Sequence, residues 1–294
     1  MRFLAGFGLA TEFATSSVLL AELLTTRQTA ISTKWLYLSG ILGGITAVTI
    51  GKLFSWQLVF ICGGLAGFLL FVFRKRIIES GLFIALTNLT NRGNFFNLFD
   101  NQAQIIKFIK LFILIVPFNF IISVMFMLPN FMPISFKLGY AVQILLIGFF
   151  LGNILSTLSS SFIVNYFKDY RAYPWLNVLL FMLVLPMFIF INDNIYFYYF
   201  LAVGLLGGGL PTVWIQMINK SYPTAIRNTA TNTLYAMGRG SCIIFNLLCQ
   251  TWIHNKSLFI YSIITSTFVI GSLVIIVLLN TKNNYNKVLN QIES

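Results

Sequence analysis

The sequence predicts an all-helical protein that spans a membrane several times. Of its residues 58% are hydrophobic and 9% are charged, and the mean hydropathy is +0.86, a composition foreign to soluble domains. The apolar residues fall into runs of about 20 residues, the length that crosses the hydrocarbon core of a bilayer. Since lipid offers a backbone no hydrogen-bond partners, each run is predicted to be an α-helix.

Nine such spans follow one another along the chain. In order they cover residues 3–24, 35–53, 57–73, 108–128, 138–160, 174–191, 196–218, 229–251 and 257–279. The segments between these spans contain polar or charged residues, so each span is predicted to begin and end at a membrane surface. Glu12 interrupts the first run, which favours a true span there over a cleaved signal peptide.

The distribution of cations predicts the orientation. Successive loops lie on alternate sides, and one side holds 14 of the 19 Lys and Arg residues when Lys110, just inside the fourth span, is included. The loops of that side are 25–34, 74–107, 161–173, 219–228 and the tail 280–294. Because positively charged loops stay in the cytoplasm, we expect a multi-pass protein of the cell membrane with a cytoplasmic C-terminus and an outward N-terminus.

The long loop at 74–107 divides the chain into domains. Residues 1–73 form a three-helix part, and residues 108–279 form a six-helix part that is followed by the tail. The turn at Glu22–Arg27 is similar to the turn at Tyr222–Arg227, since each has a Thr and an Arg ahead of another span. The first three spans therefore correspond to the last three in a predicted internal repeat.

Several motifs resemble the major facilitator superfamily of transporters. The run 2–12 (RFLAGFGLATE) resembles the fourth helix of that family, and 55–64 with 74–80 (RKRIIES) resembles the entry and exit of its sixth. The run 222–239 resembles its tenth loop and eleventh helix. The sugar-porter and metabolite:proton symporter branches are the most similar, and the segment 40–44 lacks the Pro of the drug antiporters.

The resemblance implies secondary active transport. A small anionic or zwitterionic metabolite would move with protons by alternating access between two bundles. The resemblance also implies that this chain lacks the family's first three helices. Two alternatives stay open: a transport-incompetent remnant, or one part of a split transporter completed by another chain that supplies the N-terminal helices.

Two charged residues lie near the middle of predicted spans and are the main candidate site residues. Glu12 is a candidate for proton coupling or substrate contact, because an unpaired carboxylate at this depth costs about 3 kcal/mol or more. Arg239 shares a helix face with Asn232 and Tyr235, at steps of three and four residues. A guanidinium there can clamp a carboxylate. Alternatively, either group ties helices together through hydrogen bonds.

Other candidates would govern conformational change. Arg2 matches a family arginine that tunes proton transfer, although a cation at the first residues of a span is more typical of an interfacial anchor. Charges on the cytoplasmic turns are candidates for a latch between bundles, or for simple topology-setting; these are Arg27, Asp169, Arg171 and Arg227. Three glycines and a proline predict a hinge or an ordinary kink, at Gly207, Gly208, Gly209 and Pro211.

The sequence offers little to an enzyme. It has one histidine, three cysteines without CxxC spacing and seven acidic residues, and it contains no paired catalytic carboxylates, phosphate loop or metal-ligand cluster. We expect no cofactor and no metal, and a polytopic membrane enzyme is a minor alternative. The net charge of +12 comes from scattered loop cations, so we expect lipid, protons and a small molecule as partners, and no nucleic acid.

Overall fold

A computed structural model describes residues 2–74, 80–84, 93–127, 141–167 and 196–251. All regular elements in these ranges are helical, which confirms the all-α class. The α-helices are α1 (Arg2–Leu23), α2 (Thr26–Leu53), α3 (Trp56–Arg74), α4 (Gly81–Ile84), α5 (Gln102–Met127), α6 (Ala141–Phe167), α7 (Tyr196–Gly207), α8 (Leu210–Ser221) and α9 (Thr224–Thr251). A short 3₁₀ helix covers Phe96–Leu98.

Several helices extend beyond the apolar runs that predicted them. The predicted loop at 25–34 is mostly helical, since α1 ends at Leu23 and α2 begins at Thr26. Gln28 stabilises this start, because its Oε1 atom accepts hydrogen bonds from the backbone N–H of Thr25 at 3.2 Å and from the Thr25 hydroxyl at 3.0 Å. A helix satisfies its own backbone in water as well as in lipid, so hydropathy alone underestimated its length.

Helix length and composition identify candidate membrane spans among the described helices. By length and composition, one helical stretch of the described residues is a candidate span, at Phe200–Ser221, and it includes the turn between α7 and α8. Two apolar stretches, Gln57–Phe73 and Ile144–Ser160, are shorter. The predicted spans 174–191 and 257–279, with the tail 280–294, lie outside the described residues. The nine-span arrangement therefore stays a prediction.

Helices α6 and α7 pack with their backbones in contact. A Cβ atom added at Gly204 would overlap the carbonyl oxygen of Phe149, and one added at Gly152 would overlap the carbonyl oxygen of Leu201. Small residues permit such an approach and thereby replace side-chain packing with close backbone contact. The two helices thus form a closely packed pair that leaves no room for larger residues.

The helix is interrupted between α7 and α8, at the position where the sequence predicted an interruption. Gly208 and Gly209 form a turn, and Pro211, which has no N–H to satisfy, lies in the first turn of α8. Hydroxyls of α6 occupy the break: Thr157 donates to the carbonyl of Gly208 at 3.1 Å, and the N–H of Gly209 donates to the Oγ atom of Ser156 at 3.1 Å. The interruption therefore leaves these two backbone groups satisfied.

Helix α8 lies at the centre of the described bundle. Its residues from Pro211 to Asn219 are all buried. Trp214 is fully buried, and its indole N–H donates to the carbonyl of Leu111 in α5 at 2.7 Å. Asn219 donates to the carbonyl of Ser17 in α1 at 3.3 Å and accepts from the Thr231 hydroxyl in α9 at 3.1 Å. These bonds tie α8 to three neighbouring helices.

The glycine contacts predict a position-dependent loss of stability. We expect Gly204→Ala to lower the free energy of unfolding by about 1–3 kcal/mol, because the added methyl overlaps backbone that cannot rotate away. Gly43→Ala is the matched control, since nothing lies within 4 Å of its added Cβ. Thermal unfolding in detergent measures both, and equal midpoints for the two variants would contradict the packing described for α6 and α7.

Candidate functional site

Helices α1 and α9 meet along a polar seam. Three contacts fix their antiparallel register: Glu22 with Arg227 at one end, Thr15 with Asn232 farther along, and Phe13 with Tyr235 beyond that. We name these groups, together with Glu12 on α1 and Arg239 on α9, the α1–α9 seam. Four charged side chains lie along it.

An ion pair forms one end of the seam. Nη1 of Arg227 lies 3.4 Å from Oε1 of Glu22, and the two side chains are 16% and 7% exposed. The Nε–H of Arg227 also donates to the carbonyl of Tyr222 at 3.3 Å. Burial lowers the pKa of Arg227, and the nearby Glu22 carboxylate partly offsets this effect. The pair is therefore largely removed from water. In this buried position each charge is compensated mainly by the other.

The loop between the two predicted domains, residues 74–107, is hydrogen bonded to this ion pair. Ser80 is buried, its hydroxyl donates to Oε2 of Glu22, and its Oγ atom accepts the N–H of Phe83 at 3.2 Å. A second attachment lies at Gly93, whose φ of 66° is readily adopted by glycine. Its N–H donates to the carbonyl of Ala225 at 2.9 Å, and its carbonyl accepts from Thr229 at 3.2 Å.

Lys107 caps the neighbouring end of α8. Its Nζ atom donates to the carbonyl of Ser221 at 3.1 Å and lies 5.3 Å from the centre of the Tyr222 ring. A cation at a helix C-terminus is stabilised by the carbonyls that have no partner within the helix. Burial lowers the pKa of Lys107. Lys107 and Arg227 thus both donate hydrogen bonds to carbonyl oxygens of the turn between α8 and α9.

Farther along the seam, Arg239 rests on Tyr235. Its Cζ atom is 4.7 Å from the centre of the Tyr235 ring, and its Nη2 atom donates to the Tyr235 hydroxyl at 3.0 Å. Tyr235 is 5% exposed and packs between Phe13 at 5.5 Å and Trp214 at 6.1 Å between ring centres. The ring is therefore a rigid support for a guanidinium that is itself exposed.

A network of amide and hydroxyl groups lies between the Glu22–Arg227 ion pair and the Tyr235–Arg239 contact. Thr15 and Asn232 are hydrogen bonded across the seam, with 3.2 Å from Nδ2 of Asn232 to the Thr15 hydroxyl. The same amide donates to Oδ1 of Asn228 at 2.7 Å. Glu12 is exposed and lies one helical turn from Thr15 along α1, at about the level of Tyr235.

The structure brings some of the predicted residues together and leaves others undescribed. Asn232, Tyr235 and Arg239 lie on α9, and Glu12 lies on the facing helix α1. Arg2 and Arg27 belong to α1 and α2 by their backbones, and their side chains are not described. Asp169 and Arg171 lie outside the described residues. The predicted latch thus has one described side chain, that of Arg227.

Sequence reasoning missed the partners at the latch end of the seam. Glu22 was noted only as part of a repeated turn, although a carboxylate near the end of an apolar run is itself a signal that a cation faces it. Ser80 and Lys107 carried no signal, since their partners are a carboxylate 58 residues away and a carbonyl 114 residues away. Contacts of this kind depend on the packed bundle.

Metal and cofactor chemistry have no obvious residues in the described ranges. No group of three His, Cys, Asp or Glu side chains lies close enough there to hold a metal ion. Cys62 and Cys242 are free thiols. Away from the Glu22–Arg227 pair, the seam offers instead one carboxylate, one guanidinium and several hydrogen-bonding side chains, which suit noncovalent binding of a small polar molecule.

Comparison with known proteins adds no identification: the chain matches no protein-family model, and no curated protein is similar to it at a significant level.

The ion pair predicts a measurable coupling between Glu22 and Arg227. We expect Glu22→Gln and Arg227→Gln each to lower stability, and the double variant to lower it by less than their sum, with a coupling of about 1–3 kcal/mol. The physical reason is that each single change leaves a buried charge without its partner. Unfolding in detergent measures the cycle. Asp100→Asn, which removes an exposed charge, is the control, and strictly additive effects would refute the pairing.

Proposed function

We propose that the protein is a multi-spanning membrane transporter that moves a small anionic or zwitterionic metabolite together with protons by alternating access. The observation that carries the proposal is the α1–α9 seam. It combines a guanidinium and a carboxylate near the middle of two predicted spans with a closed ion pair at one end. A binding site beside a breakable barrier is what alternating access requires.

Helix length supports the membrane part of the proposal. Six described helices have 19–28 residues, and at about 1.5 Å per residue their lengths are close to or above the thickness of a hydrocarbon core of about 30 Å. The positive loops favour a cell-membrane protein with its C-terminus and the Glu22–Arg227 pair on the cytoplasmic side. Nine spans are the finer form of this proposal.

Arg239 is the proposed substrate contact. A guanidinium offers a planar fork of donors that matches a carboxylate, and the Tyr235 ring already fixes its position. Less side-chain entropy is therefore lost when an anion binds. Asn232 supplies an amide two turns away on the same helix, and Glu12 is the proposed proton carrier on the facing helix.

The Glu22–Arg227 pair is the proposed cytoplasmic gate. It joins helices from the two predicted domains, and the Ser80 and Gly93 attachments join it to the loop between them. When the cytoplasmic side opens, these bonds break, and water and other partners take their place. The break at Gly207–Pro211 is the proposed hinge, because α8 leads directly from it to the turn that holds Arg227.

These features agree with the family resemblance of the sequence. A repeated turn contributes Glu22 in its first copy and Arg227 in its second, as expected if related bundles close against each other at one face. We therefore propose membership of the major facilitator superfamily, in its sugar-porter or metabolite:proton symporter branches.

The exposed helix α3 favours a second candidate, in which this chain is one part of a split transporter. Phe60, Phe68 and Phe73 are 71%, 66% and 66% exposed, and nothing lies within 4 Å of Cβ atoms added at Gly63 or Gly67. Small residues in an apolar helix suit contact with another transmembrane helix. Native mass measurement after gentle membrane extraction tests this: a complex heavier than the 33.3 kDa chain with a helical partner supports it, and the chain alone with lipid opposes it.

Transport itself is tested by Arg239→Lys. We expect the uptake of a labelled metabolite, found by screening small acids and amino acids in proteoliposomes, to fall at least tenfold, because an ammonium cannot reproduce the forked contact. The amount of inserted protein should stay near normal. Met237→Leu, an exposed apolar change on the same helix, controls for disturbance of α9. Undiminished uptake by Arg239→Lys would remove this residue from the site.

A further inference from the structure

We propose that the central loop carries a membrane anchor, whose aromatic rings insert into the lipid interface on the predicted cytoplasmic side, between headgroups and acyl chains. The anchor consists of Phe95, Phe96 and Phe99, which we name the aromatic turn. The inference rests on the membrane part of the proposed function and does not depend on which molecule is transported.

The three rings of the aromatic turn form a cluster at the protein surface. The ring centre of Phe95 lies 5.9 Å from that of Phe96 and 5.4 Å from that of Phe99. In that order, the three side chains are 45%, 76% and 37% exposed. Single exposed apolar side chains are common, but a cluster of large ones marks a surface that contacts a membrane or another protein.

The backbone of the turn is held in place, so the rings stay at the surface. Leu98 is fully buried and belongs to the core cluster. The N–H of Phe96 donates to Oδ1 of Asn94 at 3.0 Å, and the N–H of Phe99 donates to the carbonyl of Phe96 at 2.9 Å. Because the turn is already ordered, little conformational entropy is lost when its rings enter lipid.

The turn folds back along α5 to the level at which the fourth predicted span begins. The ring centre of Phe99 lies 5.2 Å from that of Phe108, the first residue of that span. Phe108 is six residues beyond Gln102, the start of α5, which corresponds to about 9 Å along the helix. The aromatic turn therefore lies near the height at which the hydrocarbon core is predicted to start.

Exposed side chains at the start of α5 favour lipid over a soluble protein as the partner. Ile105, Ile106 and Ile109 are exposed, although the first two precede the predicted span. Lys110 follows them, and its long side chain can reach lipid headgroups while its methylene groups stay in apolar surroundings. Apolar residues beside a cation are typical of segments that lie in a membrane interface. The apolar surface thus continues from the loop onto a predicted span.

The aromatic turn is joined to the end of α9 that carries Arg227. Gly93 lies two residues before Phe95, and its two backbone hydrogen bonds go to Ala225 and Thr229, on either side of Arg227. Insertion of the rings into the interface therefore sets the height of this cation relative to the membrane surface. The loop in this way connects the ion pair to the lipid.

Spin labels at single introduced cysteines measure the depth of the turn. The full chain, with its three native cysteines changed to alanine, is placed in nanodiscs of phosphatidylcholine and phosphatidylglycerol. Phe95→Cys and Phe96→Cys are labelled separately, so that loss of folding in one leaves the other as the test. Relaxation is compared between oxygen, which concentrates in lipid, and a nickel chelate, which stays in water. We expect oxygen to be at least about twice as effective at both positions.

Two control positions calibrate the measurement. Asp100→Cys replaces an exposed charge one residue beyond the turn, and its label should favour the nickel chelate. Leu65→Cys lies on the exposed apolar helix α3, and its label should favour oxygen.

The outcomes separate the anchor from the proposed function. Labels at the aromatic turn that behave like the Asp100 label would overturn the anchor, because the rings would then lie in water. Labels shielded from both reagents would also overturn it and indicate a covering protein segment. In both cases a Leu65 label in lipid leaves the membrane part of the proposed function standing. A Leu65 label that meets mainly the nickel chelate would overturn that part as well.

Discussion

The ion pair between Glu22 and Arg227 organises much of the described structure. It joins side chains 205 residues apart in the sequence and lies where α1, α9 and the central loop meet. Because both groups are largely buried, neither can be satisfied by water alone, and the surrounding contacts supply the rest: Ser80 to the carboxylate and the Tyr222 carbonyl to the guanidinium. The packing of three separate segments is thereby fixed at a single point.

Helix α8 connects the turn beside the Glu22–Arg227 pair to the glycine-rich interruption at Gly207–Pro211. It is buried over most of its length and bonded to α1, α5 and α9, so it cannot move without disturbing its neighbours. Its first turn follows two glycines held by the Ser156 and Thr157 side chains. A buried helix between a glycine-rich junction and an ion pair is a suitable element for relating the state of one end of the bundle to the other.

Composition and local pattern predicted the features of this structure that depend on residues close to one another in the sequence. The helical class follows from composition, the interruption at Gly207–Pro211 follows from a local run of glycines and a proline, and the contact between Tyr235 and Arg239 follows from their spacing of four residues. Hydropathy misjudged the start of α2, because polar residues there extend the helix beyond the apolar run. The partners of Glu22 and Lys107 could not be predicted, since no local pattern determines which distant helix end will pack beside them.

The separation of Glu22 and Arg227 in sequence also affects how the protein is made. At roughly 5 to 20 residues per second, a ribosome needs about 10 to 40 seconds to reach Arg227 after it has added Glu22. During that time the first helix has to be accommodated with a carboxylate whose eventual guanidinium does not yet exist. Biogenesis therefore includes an interval in which this end of α1 has no guanidinium beside it, and the ion pair can form only after most of the chain has been synthesised.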